Sequence, residues 1–539
     1  MSGPRSRHHF ALLPLATVTA LSLAVTACSS SGAGGGAGGA APHSGGHLTF
    51  ALASDPVCVD PQQAGNNDAI YPARQLVDSL TDQDPRTGKI VPWLAKSWKV
   101  SEDTRTFTFH LRQGATFSDG TPVDARAVKD NFDGIVGLGA KAVLGSSYLA
   151  GYKSTTVIDD RTVKVHFSQP NAQFLQATST FTLGLLAKST VRLPAEKRCT
   201  AHLIGSGPFT LVDYTRNKAV EERRRAGYRW GSSLWKHKGA AYLEKLTFKV
   251  IPESGVRTGS LQSGQVDAIG GVAPQDEAGL KGSGFTLSSR ANPGLPFALT
   301  ANVARPITKD VRVRRAIQKA VDREEVVDTV LSDSYKPATS ALASTTDGYT
   351  PLSDRLAQDP VGAEKLLDEA GWKKGPGGVR TKNGKKLSLK IIWAANFGPN
   401  QTALELVQQQ LKKVGIEITL QSTSIGDYVA LRQKGDYDFS WGNSTRVDPD
   451  ILRTGFSGKL LNFGHLGDRA LDAVLDKEAS AGDPTLRARH VAEAQKIVLD
   501  KAYQIPVFEL TTVLGLSKNV HDLDFEASSR LQFHETWLS

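Results

Sequence analysis

Residues 387–420 read LSLKIIWAANFGPNQTALELVQQQLKKVGIEITL, and their pattern decides the fold class. Residues 387–391 and 416–420 are short runs rich in Leu and Ile, which predicts two strands. Residues 400–414 between them carry an apolar stripe at helical spacing, and Gly415 is placed to end that helix. The stripe consists of Ala403, Val407, Leu411 and Val414. A strand, a helix and a second strand predict a parallel pair with a right-handed crossover, which is typical of an α/β protein.

The first half of the chain shows a different pattern, with strict alternation. Residues 106–111 (TFTFHL) place Phe107, Phe109 and Leu111 on one face, which predicts a half-buried strand. Residues 163–167 repeat this alternation, and Asp124 is placed to cap a helix between the two strands. Both halves are therefore expected to combine strands and helices.

Length and composition restrict the class of protein. The chain has 539 residues, 40% hydrophobic and 22% charged, with a formal net charge of +10. Domains hold about 150 residues each, so several are expected. The composition is that of a globular protein and excludes a disordered chain, a fibrous repeat and a membrane protein with many spans. The densest basic run, at residues 223–225, is isolated and is predicted to be a solvated turn, so no nucleic-acid partner is expected.

The first 27 residues are typical of an export signal. A positively charged start precedes an apolar stretch that is short for a membrane span and ends in small residues. Its end, Val25-Thr26-Ala27-Cys28, resembles a bacterial lipobox, in which the cysteine receives a diacylglyceryl group and becomes the first mature residue. We therefore predict a lipoprotein signal peptide at residues 1–27 and a lipid anchor at Cys28. An ordinary signal peptide with a chance cysteine is the alternative.

Residues 28–46 consist almost entirely of Ser, Gly and Ala. Such a segment cannot bury apolar surface, so it is predicted to be a flexible tether between the lipid and the folded chain. The protein is accordingly expected on the outer face of the cytoplasmic membrane.

Two cysteines remain beyond the tether, Cys58 and Cys199. Two cysteines in an exported chain favour one disulfide bond. Two buried thiols are the alternative, because the sequence carries no distance between them.

Motifs of common enzyme classes are nearly absent. The sequence contains no G-x-S-x-G, H-E-x-x-H, P-loop or C-x-x-C pattern, and its histidines are scattered, so no metal and no cofactor are predicted. Ser233 and Lys236 match the S-x-x-K spacing of penicillin-binding proteins, without the K-T-G strand that such enzymes need. An exported serine hydrolase or transpeptidase built on these two residues is the alternative function.

A series of motifs follows in a fixed order along the chain. The longest stretch, residues 92–123, contains PWLAKSW, SED, TFTFHLR and FSDGTPV. The later motifs are GSGPF at 205–209, LQSGQVD at 261–267, VRVRRA at 311–316, AVDR at 320–323, EAGW at 369–372 and DPD at 448–450. In this order the motifs resemble the extracytoplasmic solute-binding proteins of family 5, which supply oligopeptide, dipeptide and nickel ABC importers. The likeness covers nearly all of residues 47–539.

The resemblance implies an α/β fold with two lobes, of the periplasmic-binding-protein type (type II, cluster C-like), and an extra subdomain on the first lobe. The expected parts are lobe I at residues 47–66, 190–296 and 508–539, the extra subdomain at 67–189, and lobe II at 297–507. The ligand binds in the cleft, and a ligand that touches both lobes stabilises the closed state.

The implied function is that of a lipid-anchored binding component of an ABC importer, not that of an enzyme. It would capture a peptide or similar small solute and deliver it to the permease, which works with ATPase subunits. The protein is expected to be a monomer. Whether the solute is a peptide, a modified peptide, a sugar or a metal chelate stays open.

Solute specificity is expected in the loop that follows the strand at residues 437–441. In peptide-binding relatives this loop carries a tryptophan and, three residues later, an aspartate that pairs with the peptide amino group. Counting from Trp441 puts Ser444 at the aspartate position, whereas counting back from Asp448 puts Thr445 there. Neither residue is an acid, so the loop lacks the charge-assisted grip on a free amine.

The predicted ligand site is therefore centred on Trp441 and Arg446. Its remaining members are Ser444, Thr445 and, from a turn of the first lobe, Asn66 and Asn67. The indole would form a stacking floor for the solute, or else continue the core stripe of its strand. The guanidinium would offer a planar fork of donors to a carboxylate or to carbonyl oxygens, or else pair with Asp448.

Anchoring through Cys28 is directly testable. The variant Cys28→Ser removes the thiol that would carry the lipid, so the protein should appear in the medium or stay unprocessed. Radiolabelled lipid incorporation in cell fractions measures this. Unchanged lipid labelling of the variant would contradict the anchor.

Overall fold

Three sheets organise the part of the chain that the structure, a computed structural model, describes: residues 41–200 and 203–539. The largest sheet consists, in spatial order, of Thr286–Ala291, Thr511–Leu516, Ala268–Gly270, His47–Leu52, Lys245–Val250, Ala219–Arg224 and Phe209–Thr215. The second consists of Lys336–Pro337, Gln504–Glu509, Gly294–Ala301, Phe439–Thr445, Ser388–Ala394 and Glu417–Thr423. The third consists of Ala95–Val100, Thr106–Leu111, Thr162–Phe167 and Tyr152–Asp159.

These sheets form the expected two lobes with an extra subdomain. The largest sheet belongs to lobe I and the second sheet to lobe II, while the third lies in the insertion between the first two strands of lobe I along the chain. Short two- and three-residue strands complete the described fold. They are Thr81–Gln83, Ile90–Pro92, Lys373–Lys374, Arg380–Lys382, Lys385–Lys386, Val520–His521, Asp524–Phe525, Leu531–Gln532 and Trp537–Leu538.

The helices surround these sheets. Before the second sheet begins they are Asn67–Gln75, Ala125–Leu138, Val143–Tyr148, Phe174–Ala177, Lys188–Val191, Ala195–Arg198, Ser254–Gln262 and Pro274–Gly282. The later ones are Val311–Ala320, Arg323–Val330, Pro360–Glu369, Asn400–Lys413, Ile425–Lys434, Ile451–Phe456, Arg469–Ser480 and Pro484–Asp500. Single 3-10 turns occur at Gly139–Lys141, Phe181–Leu183, Ser353–Arg355 and Pro376–Gly378.

The chain passes between the two large sheets at two places. Residues 292–293 connect Thr286–Ala291 to Gly294–Ala301, and Leu510 connects Gln504–Glu509 to Thr511–Leu516. The Asn292 N–H donates to the Leu510 carbonyl oxygen at 2.7 Å, so the two crossings lie side by side. The predicted lobe boundaries at residues 297 and 508 fall inside strands of the second sheet. The crossings themselves lie at residues 292–293 and at Leu510, between a strand of one large sheet and a strand of the other.

The strand–helix–strand prediction is confirmed. Ser388–Ala394 and Glu417–Thr423 are parallel neighbours, and the helix between them spans Asn400–Lys413. Gly415 follows with φ +87°, and a Cβ there would lie 2.9 Å from the Gly378 carbonyl oxygen. Only glycine accepts both this backbone conformation and this close approach.

The glycines of the GSGPF motif have a packing role. A Cβ on Gly205 would lie 1.9 Å from the Leu76 carbonyl oxygen, and one on Gly207 would lie 2.4 Å from that of Gln75. The motif therefore allows the returning chain to approach the end of helix Asn67–Gln75 backbone to backbone.

The predicted solvated turn at residues 223–225 is wrong. Arg223 and Arg224 lie in the strand Ala219–Arg224, which pairs with Phe209–Thr215 and Lys245–Val250. Arg225 is half-buried, and its guanidinium donates to the Thr116 carbonyl oxygen at 2.7 Å. The partners of this run lie in two other strands and at Thr116, and its charge pattern alone suggested solvent.

The predicted signal peptide and the lipid anchor Cys28 lie outside the described residues. The end of the predicted tether already contacts the fold, since the His43 ring lies 5.6 Å from that of Trp537 and the Gly45 N–H donates to the Tyr242 carbonyl oxygen at 2.8 Å. Within the described ranges, no helix has both the length and the apolar character needed to cross a membrane.

Cys58 and Cys199 form a disulfide bond in the structure, across a sequence separation of 141 residues. Buried charge lies next to this link, because Arg198 forms an ion pair with Asp60 at 2.8 Å and donates to Gln62 Oε1 at 2.5 Å. The bond thus joins the first loop of lobe I to the segment that returns from the extra subdomain.

We expect loss of this bond to destabilise the protein. Closing a loop of this length in the unfolded chain corresponds to about 4–5 kcal/mol in the chain-entropy account. In a Cys28→Ser background, Cys58→Ser should lower the free energy of unfolding measured in urea. Intact-mass analysis provides the control, and two alkylatable thiols in the unreduced, denatured parent would contradict the bond.

Candidate functional site

The loop after Phe439–Thr445 is fixed against the crossing between the lobes. The Arg446 N–H donates to the Pro293 carbonyl oxygen at 3.0 Å. Gly294 has φ +110°, and a Cβ there would lie 2.2 Å from the Ser444 carbonyl oxygen. The crossing therefore positions the predicted specificity loop through backbone contacts.

Trp441 lies in the core of lobe II. Its side chain is 1% exposed and stacks on Phe297 with ring centroids 5.5 Å apart, and its Nε1–H donates to Asn400 Oδ1 at 2.8 Å. The prediction of an open stacking floor is not what the structure shows, and the core alternative describes this residue. The reason is that its strand is central in the second sheet, paired with Gly294–Ala301 and Ser388–Ala394.

Arg446 reaches from lobe II to the extra subdomain. It is 4% exposed, and its Nη2 donates to Ser147 Oγ at 2.6 Å. Its Nη1 donates to Thr454 Oγ1 at 2.8 Å and to Gln173 Oε1 at 3.5 Å. The guanidinium carbon lies 4.7 Å from the centre of the Tyr148 ring. The side chain therefore connects lobe II to the extra subdomain.

The carboxylates of the loop have other partners. Asp448 forms a two-pronged pair with Arg487, at 2.8 and 2.5 Å, so the alternative that it pairs with Arg446 is wrong. Asp450 accepts from Arg453 Nε at 2.5 Å, and its other oxygen lies 4.0 Å from Arg446 Nη1. Arg446 is consequently a buried cation whose contacts are mainly neutral.

Ser444 and Thr445 are half-buried in the last positions of their strand, opposite Leu295 and Gly294. Thr445 Oγ1 accepts a hydrogen bond from Asn292 Nδ2 at 3.3 Å. Asn292 Oδ1 in turn accepts from Thr512 Oγ1 at 2.8 Å. A short polar chain thus runs along the crossing, with members from both lobes.

Asn66 and Asn67 open the helix Asn67–Gln75. Asn66 is exposed, and its Oδ1 accepts from the Ala69 N–H at 3.0 Å as the helix cap. Asn67 is half-buried beside Tyr71, where burial raises the pKa of the Tyr71 phenol while Arg530, Thr512 and Asn67 oppose this rise. Only the second asparagine is therefore near the buried groups of the cleft.

Arg530 is a second buried arginine near this loop, and the sequence did not reveal it. It is 8% exposed, its Nη1 donates to the Ser528 carbonyl oxygen at 3.3 Å, and its Nε has no partner among the described residues. Burial raises the pKa of Tyr148, and Arg446 and Arg530 both oppose that rise, so both guanidinium groups act on one phenol. No motif marks Arg530, which lies far along the chain from the loop.

A small polar cavity adjoins the loop. Its lining residues are Asp82, Gln83, Gln176, Ser179, Thr180, Val447, Glu526, Ala527 and Ser528, and its volume is about 10 Å³. They come from the extra subdomain, from the loop of lobe II and from the C-terminal segment of lobe I. No sequence pattern signals this convergence, because the three segments meet only in the folded chain.

The enzyme alternative finds no support in the structure. Ser233 and Lys236 are both exposed, and Lys236 Nζ lies 3.7 Å from Asp522 Oδ1. In the described part of the chain, no group of three or more His, Cys, Asp or Glu side chains is arranged to hold a metal.

Comparison with known proteins agrees with this architecture. Residues 89–456 match the bacterial extracellular solute-binding proteins, family 5 (middle region). The glutathione-binding protein GsiB of Escherichia coli O157:H7 is 26% identical over 88% of this chain and 91% of that protein. Protein XP55 of Streptomyces lividans is 28% identical over 90% of this chain and 88% of that protein.

The crystal structure of NikA from Brucella suis in complex with Fe(III)-EDTA has a similar fold. It superposes with a TM-score of 0.79 at 25% identity and covers 92% of this chain and 100% of that chain.

The burial of Trp441 predicts a stability defect. Trp441→Ala leaves a cavity beside Phe297 and removes the partner of Asn400, which should lower the free energy of unfolding by about 3–5 kcal/mol. Urea denaturation measures this, and Trp98→Ala, at a half-buried tryptophan of the extra subdomain, is a control with a smaller expected loss. Parent-like stability combined with lost solute binding would instead mean that the indole faces the solute.

Proposed function

Because the chain belongs to the bacterial extracellular solute-binding proteins of family 5, we propose that it captures a carboxylate-bearing solute in its cleft and is held to the membrane by Cys28. At the coarser level, it is the substrate-binding component of an ABC importer for peptides or similar solutes. It acts outside the cytoplasm, and it is a carrier, not an enzyme.

The observation that carries the proposal is the environment of Arg446. A buried cation is costly unless it is well paired, and the ion pair of Arg446 with Asp450 is loose, at 4.0 Å, while Asp450 also pairs with Arg453 and Asp448 pairs with Arg487. The neutral contacts to Ser147 and Gln173 satisfy donors without neutralising the charge. A solute carboxylate would give this guanidinium a closer anionic partner than Asp450.

Arg530 strengthens this argument. It belongs to the C-terminal segment of lobe I and acts on the same Tyr148 phenol as Arg446. Burial lowers the pKa of the Arg530 guanidinium, and Tyr71, Tyr148 and Glu526 oppose this change. Two buried guanidinium groups, one from each lobe, give the cleft a positive region. A carboxylate that contacts both would stabilise the closed arrangement of the lobes through its differential affinity.

Relatives bind solutes of this chemistry. GsiB is named for glutathione, a tripeptide with two carboxylates, and NikA was solved with Fe(III)-EDTA, a polycarboxylate chelate. These names support a carboxylate-bearing solute without fixing its identity. A small peptide with a free carboxyl end fits both the family and the charge of this cleft.

The experiment is a thermal-shift screen with matched solutes. Glutathione and small peptides are compared with their carboxyl-amidated forms, since a solute at 100 times its dissociation constant stabilises the folded protein by about 2.7 kcal/mol. The acids should raise the melting temperature, and the amides should not.

Arg446→Ala should weaken binding of an acid by about 1.5–3 kcal/mol, the range for a hydrogen bond to a charged group. Arg446→Lys should recover part of the loss, because it keeps the charge without the planar fork. Arg86→Ala removes an arginine that is 87% exposed in its side chain and serves as the matched control. Equal binding of acids and amides, together with parent-like binding by Arg446→Ala, would overturn the assignment of this loop.

A further inference from the structure

A small basic sheet lies on lobe II and includes none of the residues assigned to the solute. Residues 373–386 read KKGPGGVRTKNGKK, with six basic residues and no acid. They form three antiparallel strands, Lys373–Lys374, Arg380–Lys382 and Lys385–Lys386. Because the segment contains charges of one sign only, its neighbours in space decide how much of that charge is neutralised.

The tip of this sheet projects into solvent. Asn383 and Gly384 have φ +51° and +73°, which is the two-residue turn that asparagine followed by glycine favours. A Cβ on Gly384 would meet no heavy atom within 4 Å apart from its chain neighbours. Lys382 and Lys385 are paired across the turn. Lys385 is exposed and forms no ion pair or hydrogen bond with the described residues, so its ammonium group is available to an external anion.

One face of the sheet carries two further exposed lysines. Lys373 and Lys386 both lie opposite Thr381, so their side chains share a face. These side chains are 70% and 64% exposed, and their Nζ atoms lie 3.5 Å from Asp368 Oδ1 and 3.7 Å from Glu417 Oε1. Exposed ion pairs of this length contribute little, so neither lysine is committed to its acid.

The end of a long helix adds two lysines to the sheet. The helix Asn400–Lys413 reaches it, because the Arg380 N–H donates to the Gly415 carbonyl oxygen at 2.8 Å. Lys412 and Lys413 are exposed and form no ion pair with the residues that the structure describes. We call the three-stranded sheet, together with Lys412 and Lys413, the basic surface.

Acids at the rim of the basic surface neutralise only part of its charge. Glu364 and Asp368 pair with the buried Arg380, while Asp310 pairs with Arg312 and also lies within electrostatic reach of Lys382. The cations of the surface and its rim are Lys373, Lys374, Arg380, Lys382, Lys385, Lys386, Lys412, Lys413 and Arg312, and the acids are Asp310, Glu364, Asp368, Glu369 and Glu417. Nine cations against five acids leave an excess of four positive charges, in a chain whose formal net charge is +10.

We propose that the basic surface binds the anionic headgroups of the membrane that holds the protein, so that lobe II lies against the bilayer. Headgroup phosphates present many negative charges in one plane, and each lysine close to such a plane adds attraction. This role goes beyond solute capture, and of the proposed function it rests only on the location at the membrane.

The membrane is the anionic surface nearest to a tethered protein. The predicted lipid at Cys28 is separated by 15 residues from His43, whose ring contacts Trp537. A chain of this length, rich in Gly and Ser, has a root-mean-square span of roughly 20 Å. So short a tether keeps the local concentration of headgroups high. The lipid fixes the chain at one point only, and a second, electrostatic contact would restrict the orientation of the lobes above the bilayer.

The test measures how the purified, full-length Cys28→Ser protein partitions onto vesicles in co-sedimentation at low salt. One set of vesicles is phosphatidylcholine alone, and the other also contains phosphatidylglycerol. The protein should bind the anionic vesicles at least about tenfold better than the neutral ones, and added salt should remove the difference. Binding to the neutral vesicles measures the contribution of residues 1–27, which all variants share.

Charge removal locates the contact. In the same background, Lys385→Gln, Lys412→Gln and Lys413→Gln together should weaken binding to the anionic vesicles at least about tenfold. The matched control removes the same charge from three exposed lysines of the extra subdomain that form no ion pair with described residues, and it should bind like the parent. This control carries Lys96→Gln, Lys99→Gln and Lys153→Gln.

Each result decides the claim. Equal binding to both kinds of vesicle, or equal binding by the two triple variants, overturns the membrane contact and leaves solute capture and the lipid labelling of Cys28 unaffected. Tighter binding of a soluble glycerol-phosphate polymer than of anionic vesicles, through the same lysines, would make a wall polymer the partner and overturn the lipid assignment. If circular dichroism shows that the first triple variant does not fold, Lys373→Gln with Lys386→Gln carries the test.

Discussion

The hydrogen bond between the Asn292 N–H and the Leu510 carbonyl oxygen holds together the two segments on which the rest of the structure depends. These segments are the two crossings between the large sheets. A movement of one lobe relative to the other would therefore change the backbone conformation at these crossings. The same place positions the binding loop, because Pro293 accepts from the Arg446 N–H and Gly294 lies against the Ser444 carbonyl oxygen. A movement of the lobes is thereby coupled to the placement of Arg446 by backbone contacts, which are stiffer than side-chain contacts.

Charge buried in the cleft explains why the lobes would close around a solute. The carboxylate partner of Arg446, Asp450, lies 4.0 Å away, and Arg530 Nε has no hydrogen-bond partner among the described residues. Each group left unpaired in a low-dielectric region costs free energy, so a solute that pairs with these groups would stabilise the closed arrangement of the lobes. Asp448 and Asp450 in the loop differ from these groups, because each forms a close ion pair, Asp448 with Arg487 and Asp450 with Arg453.

Local patterns predicted the elements of the fold where the physics is local. The alternation of residues 106–111, the stripe of Asn400–Lys413 and the cap at Asp124 all appear in the structure, because side-chain period and capping depend on near neighbours. The prediction of a solvated turn at residues 223–225 was wrong, because the partners of this run come from two other strands of the sheet, which the local pattern does not show. Trp441 is a similar case, because only the sheet order shows that its strand is central in the second sheet.

The sequence by itself determined the α/β class, the export signal as a prediction and the family likeness, because these reside in order, spacing and composition. It also nominated Arg446 by the absence of an acid at the neighbouring positions. Only the tertiary structure decided that Arg446 reaches Ser147 and Gln173, that Asp448 pairs with Arg487, and that Arg446 and Arg530 act on the same phenol, that of Tyr148. The physical reason is that a site of this kind is made by charges from segments hundreds of residues apart, and their pairing depends on distance in space, which no local pattern encodes.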